Sequence, residues 1–256
     1  MMKAILTAKS IAKSYGEKQI IKDVSVSLGE GELVCVLGVS GVGKTTLFNI
    51  LSGLVLPDSG KVSLNSEDIT GKCGRLSYMQ QKDLLLEHKT VLDNTALPLI
   101  LSGTKKSIAR ETAAGYFKQF GLDGTEYKYP SQLSGGMRQR AAFLRTYLCG
   151  CPVALLDEPF SALDTHTKRA MEEWYLGVME EIKLSTLFIT HDVDEAVLIS
   201  DRIYIMSGSP ARITTELAIG EPKPRTGEFM LSNEFIAYKR EINTKIRKNR
   251  NGFDKS

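Results

Sequence analysis

The residues best suited to do chemistry form a glycine-rich run at residues 38–45. Its sequence, Gly-Val-Ser-Gly-Val-Gly-Lys-Thr, fits the pattern G-x-x-x-x-G-K-[ST], follows an apolar strand-like run and opens a helical pattern. Glycines let the backbone curl so that its N–H groups converge on phosphate oxygens, and the helix start adds the positive end of its dipole. Lys44 is expected to reach the β- and γ-phosphates and Thr45 to bind magnesium. The pattern predicts a nucleoside triphosphate site.

Two carboxylates, Asp157 and Glu158, follow a second apolar run at residues 153–156. Consecutive side chains of a regular strand point to opposite faces, so Asp157 can face a metal ion while Glu158 faces an attacking water. A solvated acidic loop would carry the same pair of residues. The phosphate-binding pattern in the same chain favours the catalytic interpretation.

A further polar residue, His191, follows a third apolar run at residues 186–190. Runs of this kind are typical of buried parallel strands, and open α/β sheets bind ligands at the carboxyl ends of such strands. His191 is therefore a candidate for contact with the bound ligand. Taken alone, a histidine after a strand is more often a structural residue.

The segment at residues 133–140, Leu-Ser-Gly-Gly-Met-Arg-Gln-Arg, predicts a second helix start that could bind an anion. Ser134 is a favoured N-cap residue, and a helical pattern continues to Leu148. Gly135 and Gly136 leave backbone N–H groups open to a ligand. A single nucleotide hardly needs two phosphate-binding segments from one chain, which makes this segment the most discriminating one.

The elements that must position these residues follow from the spacing of apolar side chains. Residues 3–37 predict a strand-rich start, with turns near Gly16 and at residues 29–31. Apolar residues at helical spacing predict a helix from Thr45 to Leu54. With the strand before residue 38, this gives a strand, loop and helix around the phosphate-binding pattern.

The middle and the end of the chain predict helices. Residues 85–150 are mostly helical in pattern, with an amphipathic helix from Ile108 to Phe120 that Gly121 would end. From Phe229 to Arg250, basic residues alternate with apolar ones, which favours a terminal amphipathic helix over a functional basic patch. The apolar positions of this helix are Phe235, Ile236, Ile242 and Ile246.

The composition indicates an ordinary globular protein. Of its 256 residues, 42% are hydrophobic and 25% charged, and 33 basic against 30 acidic residues leave a net charge of +3, which gives no reason to expect nucleic acid as a partner. The first residues lack the apolar region of a signal peptide, and no stretch reaches the ~18 apolar residues of a membrane span. We therefore expect a cytoplasmic protein. The four cysteines lack zinc-site spacing and are expected to be reduced packing residues.

Together, the segment at residues 133–140 and the phosphate-binding pattern resemble the motifs of the ATP-binding cassette (ABC) family, in which the signature of one subunit closes over the ATP held by the other. The resemblance covers nearly the whole chain. It implies an α/β fold, namely a P-loop NTPase core with a mixed sheet, an N-terminal antiparallel β subdomain and an α-helical subdomain inserted at about residues 85–150. This ATPase domain would span residues 1–228, followed by a C-terminal helix or tail at residues 229–256.

The resemblance assigns a role to each motif. Glu158 would be the general base, His191 would hold the γ-phosphate and the water, and Gln81 would sense magnesium and the transmembrane partner. The implied catalytic residues are Glu158, His191, Lys44 and Gln81, and the implied magnesium ligands are Thr45, Gln81 and Asp157. The nucleotide would contact Tyr15, Gly38, Ser40, Gly41, Gly43, Lys44, Thr45 and Thr46 of one subunit and Ser134, Gly135 and Gly136 of the other.

Two of these assignments leave alternatives. Tyr15 occupies the place of the aromatic residue that stacks on adenine, but a lone tyrosine after a strand is more often a packing residue. Gln81 is favoured over Gln80 as the glutamine-loop residue because it lies nine residues before Thr90. Residues 161–164, Ser-Ala-Leu-Asp, resemble the loop that communicates across the dimer.

Later segments are similar to bacterial importer subunits. Asp-Val-Asp-Glu-Ala follows His191, and residues 206–213 and 221–225 resemble the Pro-Gly-Arg-Ile and Pro-Arg elements of the nitrate, sulfonate and taurine importer branch. Ala211 replaces the glycine of that branch, and His88 stands where it usually has tryptophan. The alternative for the proline-rich segment is a surface turn fixed by proline and arginine.

The resemblance implies an ATP-binding and ATP-hydrolysing subunit of a bacterial importer, with ATP and Mg²⁺ as cofactors, at the cytoplasmic face of the cell membrane. It would form a homodimer or pair with a similar subunit, bind permease subunits, and act indirectly with an extracytoplasmic solute-binding protein. The branch also includes importers of thiamine precursors, and other subunits choose the cargo. The alternatives are a soluble clamp ATPase acting on nucleic acid or ribosomes, a subunit of an exporter or lipid-extraction system, and a non-hydrolysing module. The intact polar motifs argue against the last.

Overall fold

The computed structural model of the protein describes residues 4–161, 163–223, 225 and 227–253. Ala162 and Pro224, which belong to two of the motifs above, lie outside the described residues. The chain divides into two compact units. The terminal unit comprises Met1–Leu76 and Lys183–Ser256, and the central unit comprises Ser77–Ile182. The domain bounds drawn from the resemblance stay a prediction.

Within the described residues the chain forms ten strands and eight α-helices. The strands are β1 (Ala4–Tyr15), β2 (Lys18–Gly29), β3 (Leu33–Leu37), β4 (Ser59–Leu64), β5 (Glu67–Asp68), β6 (Ser77–Met79), β7 (Val153–Asp157), β8 (Ser185–Thr190), β9 (Arg202–Gly208) and β10 (Ala211–Ala218). The helices are α1 (Lys44–Leu51), α2 (Val91–Thr95), α3 (Leu97–Leu101), α4 (Lys106–Gly115), α5 (Gly135–Tyr147), α6 (Thr165–Ile182), α7 (Val193–Ile199) and α8 (Asn233–Phe253). None of these helices is both long and apolar enough to cross a bilayer.

The terminal unit contains a mixed sheet whose strands lie in the order β5, β4, β1, β2, β10, β9, β3, β8. β1 pairs antiparallel with β2 and β4, whereas β3 pairs parallel with β8 and β9. All residues of β3 and β8 are buried, as expected for parallel strands covered on both faces. The predicted mixed sheet with an antiparallel N-terminal part is confirmed, and the predicted turns separate β1, β2 and β3.

Helix α1 follows the phosphate-binding pattern but is shorter than predicted. It buries Leu47, Ile50 and Leu51 and ends at Leu51, so the prediction that it continues to Leu54 was wrong. Gly53 has φ +80°, which turns the chain out of the helix, and a Cβ there would lie 2.6 Å from the backbone of Lys72. Leu54 is consequently exposed.

In the central unit, β6 and β7 pair in parallel, and helices α2 to α6 make up most of the remaining regular structure. The predicted helix from Ile108 to Phe120 was wrong at both ends, because α4 runs from Lys106 to Gly115. The N–H groups of Tyr116 and Phe117 bond to carbonyls three residues earlier, which tightens the chain into a turn. This turn buries Phe117 and Phe120, whereas Ile108 is exposed.

An aromatic cluster forms the core of the central unit. Phe120 and Phe143 have ring centroids 5.7 Å apart, and each lies about as close to Trp174, at 6.0 and 5.9 Å. The guanidinium carbon of Arg140 lies 4.9 Å from the Trp174 ring centroid, a cation–π distance. The indole Nε1 of Trp174 is buried and has no hydrogen-bond partner among the described residues.

The C-terminal segment begins with a 3₁₀ turn at Phe229–Leu231, and α8 starts only at Asn233. Of the predicted apolar positions, Phe235 and Ile242 are buried and Ile246 is half-buried, but Ile236 is 39% exposed, so its assignment to the apolar face was wrong. All four cysteine thiols are free. Only Cys35 is fully buried, and Cys73 and Cys149 are exposed, which contradicts a general packing role.

Candidate functional site

The glycine-rich loop joins the carboxyl end of β3 to the start of α1. Parallel pairing sets Leu37 opposite Thr190 of β8 and Ile205 of β9. The Gly38 N–H donates to the Thr190 carbonyl at 3.3 Å, so the loop leaves the sheet beside the strand that ends just before His191. The terminal unit therefore brings the phosphate loop and His191 to neighbouring strand ends.

Glycine is required at several positions of this loop. Gly41 and Gly43 have φ of +80° and +115°, a region that other residues rarely adopt. A Cβ on Gly38 would lie 2.7 Å from the carbonyl oxygen of Met206, and one on Gly43 would lie 3.1 Å from the Ile20 side chain. The cradle thus has the backbone freedom and close packing that a phosphate-binding loop needs.

Lys44 projects its ammonium group into the loop. The side chain is 4% exposed, and Nζ donates to the carbonyls of Gly38 at 2.8 Å and Val39 at 3.2 Å. Among the other predicted nucleotide-binding residues of this loop, Ser40 and Thr45 are exposed to solvent and Thr46 is half-buried. A buried cation enclosed by a glycine-rich loop is suited to receive an anion.

Tyr15, the predicted adenine-stacking residue, ends β1 and is 50% exposed. The Lys13 ammonium nitrogen lies 5.6 Å from the centroid of its ring. The exposed ring is not a core residue, which disfavours the packing alternative. An exposed aromatic face of this kind can stack on a planar base.

His191 lies in an ordered turn between β8 and α7. It is exposed, and the next residue, Asp192, caps α7 by accepting the N–H groups of Asp194 at 2.8 Å and Glu195 at 3.4 Å. The Thr190 hydroxyl donates to the buried Glu195 carboxylate at 2.5 Å. The residues on both sides of His191 are thus fixed by hydrogen bonds, which restricts its backbone.

The first predicted carboxylate, Asp157, is the last residue of β7 and is 5% exposed. The Tyr78 hydroxyl, from the neighbouring strand β6, donates to Asp157 Oδ2 at 3.3 Å. Burial and the Asp157 charge raise the pKa of Tyr78. Tyr78 was not identified from the sequence, because no pattern predicted the three-residue strand β6 that places it beside β7.

Glu158 does not continue the strand, so the expectation that the two carboxylates diverge as strand neighbours was wrong. Its backbone has φ +47°, a left-handed conformation immediately after β7. Gln81 Nε2 donates to Glu158 Oε2 and to the Ser161 hydroxyl, both at 3.3 Å. The central unit therefore brings Gln81, Glu158 and Ser161 together.

The segment predicted as a helix start is the beginning of α5, also in the central unit. The Ser134 hydroxyl caps the helix by accepting the Met137 N–H at 3.3 Å, and Gly135 and Gly136 are its first residues. A Cβ on Gly136 would lie 3.2 Å from the Thr167 side chain. The N-cap prediction is confirmed, and Ser134 and Gly135 are exposed to a possible ligand.

A buried asparagine that the sequence analysis did not single out holds the loop after Gln81. Asn94 is fully buried, its Nδ2 donates to the carbonyls of Leu86, Lys89 and Thr90 at 3.0 to 3.2 Å, and its Oδ1 accepts the Leu86 N–H at 2.7 Å. The local sequence carried no signal for this role, because Asn94 stands between two other polar residues of α2, Asp93 and Thr95.

Two arginines of α5 hold the same loop. Arg138 forms ion pairs at 2.9 Å with Asp83 and Glu87, and Arg145 donates to the carbonyls of Asp83 at 2.5 Å and Leu84 at 2.8 Å. Arg138 belongs to the predicted anion-binding segment, but no pattern in the sequence linked either arginine to residues 83–87.

The proline-rich segment contains a buried anchor. Arg225 is 3% exposed, and its guanidinium donates to the carbonyls of Val197 at 2.8 Å, Ser200 at 2.6 Å and Glu221 at 2.8 Å. Two of these carbonyls lie at the end of α7, where helix carbonyls lack partners within the helix. Arg225 is therefore no part of a surface turn.

The fold and the loop geometry define a P-loop nucleotide-binding protein. The family model described as "ABC transporter" matches residues 21–161. The chain is 42% identical over 220 residues to the formylaminopyrimidine import ATP-binding protein of Halalkalibacterium halodurans, covering 86% of both chains. It is 36% identical to the nitrate import ATP-binding protein of Synechocystis sp., covering 91% of this chain and 90% of that one.

A solved structure has the same fold as this chain. The dimeric post-hydrolysis state of an ATP-binding cassette bound to ADP and Pi aligns with a TM-score of 0.73 at 27% identity, over 85% of this chain and 100% of that chain. The chain belongs to the ATP-binding subunits of ABC transporters, in the importer branch, and it is an ATP hydrolase. The predicted family, fold class and enzyme class are confirmed.

Proposed function

We propose that the chain binds ATP with Mg²⁺ at the phosphate loop and hydrolyses it as one of two paired subunits at the cytoplasmic face of the cell membrane. Hydrolysis energises import of a small solute through a separate permease. The observation that carries the ATP-binding part is the Lys44 ammonium, which is buried in a loop with close packing at Gly38 and left-handed backbone at Gly41 and Gly43. Phosphate oxygens would exchange with the two carbonyls that now accept its hydrogen bonds.

Each part of the nucleotide has residues that fit it. After Gly38, whose N–H bonds to the Thr190 carbonyl, the loop N–H groups of Ser40, Gly41, Gly43, Thr45 and Thr46 take the phosphates. The exposed Tyr15 ring takes the base. Thr45, Gln81 and Asp157 supply the oxygen ligands that Mg²⁺ prefers. Bound Mg²⁺ would supply charge neutralisation on the phosphates.

Glu158 acts as the general base toward the attacking water. Its backbone is left-handed directly after β7, and the Gln81 amide restrains its carboxylate by a hydrogen bond. Gln81 therefore links the base to the loop at residues 82–90, which supports its role as the residue that senses magnesium and the transmembrane partner. His191 holds the γ-phosphate and the water from the end of β8.

The partner ATPase is a second copy of this chain or a similar subunit, arranged head to tail. Ser134 and Gly135 are exposed at the start of the 13-residue helix α5, and Gly136 follows them. N–H groups at such a helix start stabilise an anion, so they suit the γ-phosphate of an ATP held by the other subunit. Residues 161–164 communicate across this dimer.

The transporter also contains the permease and an extracytoplasmic solute-binding protein. This chain contacts the permease and acts with the solute-binding protein only indirectly. We favour a formylaminopyrimidine-type cargo over nitrate, because the relative named for formylaminopyrimidine import shares 42% identity and the one named for nitrate import 36%. We also propose the domain bounds given above, with residues 1–228 as the ATPase domain and 229–256 as its C-terminal helix or tail.

Glu158→Gln tests the proposed mechanism. The variant should retain ATP affinity within about twofold, lose turnover by at least ~100-fold and accumulate as a dimer with ATP, because the base is removed while both phosphate-binding segments remain. Light scattering with and without ATP measures the dimer. Glu111→Gln, at an exposed position of α4, is the matched control and should hydrolyse ATP normally. A Glu158→Gln protein that stays monomeric with ATP would count against the head-to-tail dimer.

Uptake by cells that lack this gene tests the cargo. Complementation with the wild-type chain should restore uptake of labelled formylaminopyrimidine, and Lys44→Ala should not restore it. If only nitrate uptake is restored, the proposed formylaminopyrimidine-type cargo is wrong and nitrate replaces it. Affinity capture of Glu158→Gln with ATP from native membranes should recover a multi-span permease, and recovery of ribosomes or nucleic acid alone would refute the transport role.

A further inference from the structure

A cavity of about 220 Å³ lies against the phosphate loop in the terminal unit. Residues 38–42 of the loop form one wall and Met206, Ser207 and Gly208 at the end of β9 form another. The remaining lining residue is Ile246, from the second half of α8. The C-terminal helix thus reaches the loop that holds the phosphates, although it is far from that loop in the sequence.

The same strand end supports the loop directly. A Cβ on Gly38 would lie 2.7 Å from the Met206 carbonyl oxygen, and one on Gly43 would lie 3.5 Å from Met206 Cε. Both glycines therefore rest against Met206, which is 1% exposed. Between them, a Cβ on Gly41 would meet nothing within 4 Å.

Helix α8 is held firmly enough to act as a wall. Phe235 and Ile242 are 2% and 0% exposed, and the Lys239 ammonium pairs with Asp194 of α7 at 2.6 Å. Ile246 lies one turn beyond Ile242 and is half-buried. The packing of α8 therefore fixes the backbone of Ile246 and sets the position of its side chain against the cavity.

We propose that Ile246 is a positioning residue for ATP binding, through which α8 limits how far the phosphate loop can move back into the cavity. The inference rests on the proposed binding of ATP at this loop. Loop N–H groups stabilise phosphate only when their directions are fixed, and displacements of about 1 Å at such sites can cost up to ~100-fold. Val39 and Val42, which line the cavity from the loop, are the side chains that would collapse into it.

Truncation at this position gives a direct test. Ile246→Ala enlarges the cavity, so the dissociation constant for a fluorescent ATP analogue and the KM for ATP should both rise about three- to tenfold, with kcat within about twofold. Ile246→Leu should restore both values. Ile236→Ala is the matched control, because it removes the same atoms from the same helix at an exposed position that does not line this cavity.

The outcomes separate this inference from the proposed function. Wild-type protein that fails to bind the ATP analogue would refute the proposed function itself. If the wild type binds ATP and Ile246→Ala binds it equally well, the positioning role is wrong. An equal loss of affinity in Ile236→Ala would also overturn it, since the effect would then come from α8 in general. Circular dichroism establishes that both variants retain their helices.

Discussion

The phosphate loop of the terminal unit and the glutamine loop of the central unit, residues 80–90, are fixed in different ways. The phosphate loop takes its shape from backbone: parallel strand pairing sets where it starts, and its glycines pack against the Met206 carbonyl and the Ile20 side chain. Lys44 Nζ adds hydrogen bonds to two carbonyls of the same loop, those of Gly38 and Val39.

The glutamine loop has no regular secondary structure, and polar side chains from neighbouring helices hold it. Asn94 of α2 makes four hydrogen bonds to its backbone, and Arg138 and Arg145 of α5 bind its acidic residues and carbonyls. Backbone pairing resists most side-chain changes, whereas a loop fixed by a few buried polar groups depends on each of them. Substitutions that add atoms should therefore disturb the phosphate loop most, and substitutions that remove side-chain atoms should disturb the glutamine loop most.

Asn94→Ala should produce the largest effect. It removes four hydrogen bonds that a fully buried side chain makes to the loop backbone, so we expect a loss of about 3 to 4 kcal/mol in the free energy of unfolding. Urea denaturation followed by circular dichroism measures the loss. Hydrogen exchange should accelerate at residues 80–90 and stay unchanged at residues 38–46. Equal acceleration in both loops would contradict the conclusion that different contacts hold them. Asn243→Ala, at an exposed asparagine of α8, is the control.

Lys44→Ala should act on binding alone. Loss of the charge-assisted contact to phosphate should weaken ATP binding about 100-fold, equivalent to about 2.7 kcal/mol. Titration with a fluorescent ATP analogue measures the affinity, and Lys61→Ala, at an exposed position of β4, is the control. Because the loop shape comes from backbone, the unfolding free energy should stay close to that of the wild type. A large loss of stability would show that Lys44 also builds the loop.

Gly38→Ala tests the sensitivity to added atoms. The new Cβ would lie 2.7 Å from the Met206 carbonyl oxygen, so the loop must shift, and we expect about 2 kcal/mol of destabilisation and about tenfold weaker ATP binding. Gly177→Ala in α6 is the matched control, because nothing lies within 4 Å of its added Cβ. That change should stabilise the helix by up to about 1 kcal/mol. Normal ATP binding by Gly38→Ala would contradict close packing at this position.

The smallest effect concerns pH. Burial acts to raise the pKa of Asp83, but the Arg138 guanidinium and the Leu85 N–H outweigh it and hold that pKa below its ordinary value. A carboxylate with a lowered folded pKa adds stability above its unfolded pKa of about 3.9 and loses it as pH falls through the folded pKa. Wild-type urea midpoints should therefore fall more steeply below about pH 4 than those of Asp83→Asn. If the urea midpoints of the two proteins change with pH in parallel, the Asp83 carboxylate does not stabilise the glutamine loop.

The same difference explains what the sequence could reveal. The phosphate loop, its flanking strand and helix, and the cap at Ser134 were predictable because each depends on neighbouring residues. The contacts of Asn94 and Arg145 depend on residues brought together by the fold, and their spacing in the chain carries no pattern. The turn at Glu158 was missed for a related reason, since nothing in an apolar run followed by two acids indicates where pairing with β6 stops.

Errors at helix ends have local causes that only packing resolves. Apolar spacing continues past Gly53, yet its left-handed backbone directs Leu54 to solvent. Phe117 and Phe120 fit a continued α4 equally well in the sequence, but they are buried by a tightened turn instead. In both cases the apolar pattern identified the helix, and the choice between helix and turn depended on the surroundings.

The aromatic cluster gives the chain a built-in optical probe. Trp174 is the only tryptophan in the sequence, and it lies in the central unit beside Phe120, Phe143 and the Arg140 guanidinium. Its emission therefore reports on the environment of the central unit alone, without any label. A spectral change when ATP is added would show that nucleotide binding alters the aromatic core of the central unit, in real time and in the unmodified protein.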